Sequence, residues 1–153
     1  MFFVIHPNIK PMSVKWVRGR TRIRRFPRSA STTFTKQSLV YWASGVVIPA
    51  DATSGDHIGI CIEDVASTDS DFATANVPIA VEVPADKQCV FEADVTGTLL
   101  TTSVGVTMDL STALVVNQGG SSIHCVTCVG FISATKGLFV LNATYDVYRV
   151  ATT

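Results

Sequence analysis

Four arginines, Arg18, Arg20, Arg22 and Arg24, recur at every second position near the start of this chain, and Arg25 and Arg28 follow closely. A guanidinium is planar, permanently charged and carries a fork of donors that matches carboxylate and phosphate oxygens, so a row of them is a device for holding anions. On an extended strand a spacing of two puts all four on one face, whereas a helix would scatter them around its cylinder. Trp16, Val17, Ile23 and Phe26 are interleaved with the charges, and a tail that served only solubility needs no such apolar anchors. Trp16, Arg18, Arg20, Arg22, Arg24, Arg25 and Arg28 are therefore the candidate contact residues. Two anionic partners fit them. One is nucleic acid, whose phosphates the arginines can track while Trp16 stacks on a base; the other is an acidic protein surface.

The rest of the chemical inventory is thin. His6 stands beside Pro7, His57 follows Asp56 in an expected turn and His124 falls within an apolar run, none of them next to a recognisable nucleophile motif. Cys125 and Cys128 form a single CxxC within "HCVTC", and Cys61 and Cys89 stand alone; a zinc ribbon wants a second knuckle. Three apart on a strand, Cys125 and Cys128 are expected on opposite sides of a sheet, and all four cysteines read as ordinary buried thiols. The "NQGGSS" stretch has neither the lysine nor the following helix of a phosphate cradle. Asn142-Ala143-Thr144 fits the glycosylation pattern, which arises often by chance. The expectation is a protein that is not an enzyme and uses no metal and no cofactor.

Charge is distributed unevenly around these residues. Nine basic residues and no Asp or Glu precede position 37, while Lys87, Lys136 and Arg149 stand against twelve carboxylates afterwards. The formal net charge of zero is thus a cancellation between a basic front and an acidic remainder, and another copy of the chain is itself an acidic surface for the front to bind. No apolar run approaches the roughly 18 residues of a membrane span. The start also lacks the basic leader and long apolar middle of a secretory signal, so cytoplasmic synthesis and no membrane partner are expected.

Residues 1–36 read as an extended basic arm, stopped near Pro27 and followed by a polar connection. From residue 37 to 153 short apolar segments alternate with turn residues every eight to twelve positions: "SLVYWAS" and "VVIPAD" as a hairpin around "ASG", then "HIGICIED", "VPIAVEVP", "CVFEADVTG", "VGVTMDL", "ALVVN", "IHCVTCVGFIS" and "LFVLNATYDVYRV". Ile58, Ile60 and Ile62 are expected on one face, as are Ile79, Val81 and Val83. "STDSDFATAN" has room for one helical turn. At 153 residues and 47% hydrophobic the chain can bury one sizeable core. The fold class expected is all-β, a small barrel or compact β-sandwich with an extended basic N-terminal arm, because a single flat sheet would leave a face of Val and Ile in water.

The order of "LVYWASGVVIPAD", "HIGICIEDVAS", "VPIAVEVP", "ADVTGTL", "VGVTMDLS" and "GFISATKGLFVLN" resembles the small all-β decoration, or cement, proteins of tailed-phage heads, over roughly residues 38–142. The resemblance implies a virion protein on the outer surface of the capsid that bridges major capsid proteins and stabilises the head. It also implies an arm reaching to the shell or to neighbouring copies, in a trimer or another cyclic homo-oligomer. The arginine run is more basic than that pattern, which keeps a second expectation alongside: a small viral coat protein whose basic arm binds packaged nucleic acid.

Overall fold

The computed structural model describes residues 12–54, 57–86, 89–120 and 122–142. Among the described residues, eleven strands make two sheets. β1 (Lys15–Arg18), β7 (Val90–Thr96), β8 (Thr107–Thr112), β9 (Val115–Asn117), β10 (Val126–Ser133) and β11 (Lys136–Leu141) form the first, in the order β1-β7-β11-β10-β8-β9. It closes on itself because β9 runs parallel to the second half of β7, pairing Asp94, Val95 and Thr96 with Val115, Val116 and Asn117. The result is a closed five-stranded barrel with β1 added antiparallel beside the first half of β7. β2 (Thr21–Pro27), β3 (Ser38–Ala43), β4 (Val46–Pro49), β5 (His57–Cys61) and β6 (Pro78–Pro84) form the second sheet, in the order β2-β6-β5-β3-β4. Its two outer strands approach at one point, a bridge between Arg28 and Val47.

The period-two apolar pattern explains how the sheets share their cores. Leu39 of β3 and Ile60 of β5 join Phe91, Ala93, Val95, Met108, Leu110, Val126 and Phe139 in the barrel core. Their neighbours Val40 and Cys61 face the other way, into a second cluster with Phe26, Val47, Ile79, Val81 and Val83. β3 and β5 are thereby buried on both faces, which is why they read as continuous apolar runs. The expected hairpin is present as β3–β4, turning through Ser44 and Gly45, both at positive φ, as a tight two-residue connection requires. Gly59 is required on β5: a Cβ there would be driven into the carbonyl oxygen of Glu82 on the neighbouring strand.

Several expectations need correction. Ile58 and Ile60 do not share a face: the register of β5 against β3 shifts at Val40/Tyr41, and the extra residue sends Ile58 into the second cluster while Ile60 stays in the first. Cys125 and Cys128 do not face opposite sides either; both lie in the barrel core, because Cys125 precedes the strand proper, which starts at Val126. The "STDSDFATAN" stretch is a run of hydrogen-bonded turns, and the single 3-10 turn described falls at Thr101–Ser103. His57 is not in a turn but fully buried as the first residue of β5. The largest correction concerns the arm. Residues 1–11 lie outside the described residues, but Val14, Phe26 and Phe34 are core residues and β1 and β2 are paired strands. Within residues 12–36, each sheet draws one strand from the basic segment.

Candidate interaction surface

The arginine run does not continue as one strand, and Gly19 is the reason. It adopts φ +92°, open mainly to glycine, and a Cβ there would lie 2.7 Å from both Cα and Sγ of Cys89. The chain turns at this point, leaving β1 in the first sheet and entering β2 in the second. The corner is clamped from outside. The carbonyl of Arg20 accepts hydrogen bonds from the Ala85 amide at 2.7 Å and the Cys89 thiol at 2.9 Å, and the Arg20 amide donates to Asp86 Oδ2 at 3.4 Å.

Each candidate residue then has a definite place. Trp16 is half-buried, donates its indole N–H to the Glu82 carbonyl at 3.1 Å and packs edge-on against Phe91 with ring centroids 5.8 Å apart. It locks the two sheets together. Arg18 ends β1 and Arg20 stands in the corner, both exposed. Arg22 and Arg24 share a face of β2, opposite Val83 and Val81, as the alternation predicts; their stems lie over the side from which the second core is filled. Arg25 forms an exposed ion pair with Glu63 at 3.2 Å. Arg28 is 2% exposed and bound to Asp71 through the carboxylate and the carbonyl, each at 3.1 Å.

Part of the charge cancellation is therefore internal. The β5–β6 connection carries Glu63, Asp64, Asp69 and Asp71, and it neutralises the far end of β2 through Arg25 and Arg28. The near end is different: Arg18, Arg20 and Arg22 make no ion pair among the described residues. These three guanidinium groups stand at the corner, and the exposed apolar Val17 and Ile23 flank it in sequence.

Sequence reasoning passed over Asp109, a lone carboxylate inside the apolar β8. It is 6% exposed, and its oxygens accept from the amides of Ser122 at 2.7 Å, Ile123 at 2.9 Å and His124 at 2.7 Å. Burial pushes its pKa up, but the three amides and the nearby His124 outweigh burial and hold it below the ordinary carboxylate value. The available signal was an acidic residue set between Met108 and Leu110, followed by a Gly-Gly-Ser-Ser loop. All four cysteines are buried and free, and burial pushes the thiols of Cys61 and Cys125 up to about 11, so none is a poised nucleophile. Among the described residues no group of three or more His, Cys, Asp or Glu is placed to hold a metal ion, and no helix is long and apolar enough to cross a membrane. No protein-family model matches the chain, and no curated protein matches it.

Proposed function

We propose that the chain is a non-enzymatic virion structural protein that binds the outer surface of a phage capsid and stabilises the head by bridging major capsid proteins. The observation that carries this reading is the clamped corner that presents Arg18, Arg20 and Arg22, whose guanidinium groups make no ion pair among the described residues. Paired inside the molecule, they would be structural; left open on a rigid turn, they are available to an acidic surface. Rigidity matters because ordering cost is already met before binding, leaving more of each bidentate Arg–carboxylate contact as affinity. Repeated over a lattice, such modest contacts raise the barrier to shell opening by multivalency, with no chemical step.

The nucleic-acid alternative draws less support from the geometry. Trp16 is half-buried, with its indole N–H on Glu82 and its ring against Phe91, so it is poorly placed to stack a base, and Arg25 and Arg28 are committed to carboxylates. The discriminating experiment measures attachment to empty, genome-free heads. Replacing Arg18, Arg20 and Arg22 with Lys keeps the charge but loses the planar fork, and an at least ten-fold weaker attachment is expected. Unchanged attachment of that variant would overturn the bidentate-arginine contact, and a wild-type protein that ignores empty heads yet binds nucleic acid tightly would favour the coat-protein reading.

A further inference from the structure

A second exposed surface lies on the barrel, away from the arginine corner. The segment 97–107 and the segment 125–135 together contain no charged residue. They run side by side: the Leu99 amide donates to the Ala134 carbonyl at 2.9 Å, the Gly105 amide to the Cys128 carbonyl at 2.8 Å, and the Cys128 amide to the Val106 carbonyl at 3.0 Å. Six large apolar side chains stand out of this strip, Leu100, Val104, Val106, Val129, Phe131 and Ile132, each between 40% and 54% exposed. The register of β10 against β11 shifts twice, between Cys128 and Gly130 and between Phe131 and Ser133. Such irregularities break the in-and-out alternation, which is how the neighbours Phe131 and Ile132 both come to face water.

We infer that this strip is a self-association face, occupied by the same strip of a second copy in a two-fold arrangement. Two arguments select that occupant. The first is area. Six side chains of this size at such exposure leave roughly 450 Å² of apolar surface in water, within the range of about 300–600 Å² where the largest patch on a monomer is often functional. Pairing two strips, with the exposed Thr101, Thr102, Ser133 and Ala134 at their margins, buries about 1,000 Å² in total, the lower bound for a specific interface. The second is charge. In an isologous contact residue i of one copy meets residue j of the other and j meets i, and only groups near the axis meet their own kind; a strip carrying one sign of charge would repel its copy, whereas this strip carries no charge. The arginine corner has the opposite character and suits a heterologous, acidic partner.

The inference does not depend on what the corner binds, and the test keeps the two apart. Sedimentation velocity of the full chain over a wide concentration range should show a monomer–dimer equilibrium in the micromolar range that persists in high salt. Phe131→Asp and Phe131→Lys, both at an exposed position that leaves the folded core untouched, should each be monomeric, with the dissociation constant raised at least 100-fold. Mixed one to one, the two variants should recover dimer, because the strips now carry opposite charges. Arg18→Ala should leave self-association unchanged. A wild-type chain that stays monomeric throughout overturns the inference, and a chain that dimerises only after residues 1–11 are removed assigns the strip to the apolar Met1–Ile5 run instead. Failure of the mixed variants to pair, with each folded and monomeric, would mean that the strip is not opposed to itself.

Discussion

Asp109 should be worth more to stability than any other carboxylate in the chain. Replacing it with Ala removes an acceptor that serves the amides of Ser122, Ile123 and His124 at once. A hydrogen bond to a charged group contributes about 1.5–3 kcal/mol net. The 122–124 loop is exposed and can recover some of its bonds from water, so about 3–4 kcal/mol is expected for Asp109→Ala and roughly half that for Asp109→Asn, which keeps one acceptor oxygen. For a chain of this length each kcal/mol lowers the melting temperature by about 2–4 °C, so Asp109→Ala should melt about 10 °C below wild type. The pH dependence has a definite sign. The folded-state value lies below the unfolded one, so the stabilisation is complete above about pH 4 and is lost as the pH falls through the lowered folded value. Urea midpoints of wild type and Asp109→Ala should differ by the full amount at pH 7, and the gap should narrow by up to about half as the carboxylate protonates. A gap that stays constant down to pH 2 would refute an ionic origin, and a variant as stable as wild type at pH 7 would refute the role altogether.

Further outcomes follow from the woven N-terminal strands and the close packing of β5. Removing residues 1–36 takes Val14, Phe26 and Phe34 from the cores and, at about 1.5–3 kcal/mol for each buried side chain, should abolish cooperative unfolding by circular dichroism. Gly59→Ala should lower stability by at least about 3 kcal/mol, read as a fall in urea midpoint, since the added methyl meets backbone rather than a side chain that can turn away. The four thiols should react with a thiol reagent only on unfolding, and in proportion to the unfolded fraction in urea; fast labelling of the native protein would show that Cys61 and Cys125 are not as buried as described.

How much of this was legible in the sequence depended on whether a feature was local. The strand series from β3 to β11 could be read from alternation and turn residues because each strand announces itself within eight residues, and the β3–β4 turn is written in Ser44-Gly45. What could not be read was anything set by a distant contact. The turn at Gly19 exists because Cys89, seventy residues on, approaches the backbone there, and no spacing rule reveals that approach. Without the turn, the two-residue arginine spacing suggested one continuous face, and a basic segment with no carboxylates looked like a free arm. The carboxylates were present but remote: Glu63 and Asp71 reach Arg25 and Arg28 only once β2 lies beside β6. The exposed strip on β10 was hidden for a related reason, since "VGFIS" reads as a buried strand until the register shifts turn Phe131 and Ile132 outward. In both cases the fold decides which members of a run are consumed internally, and among the residues it leaves over are the three arginines and six apolar side chains that we propose meet partners.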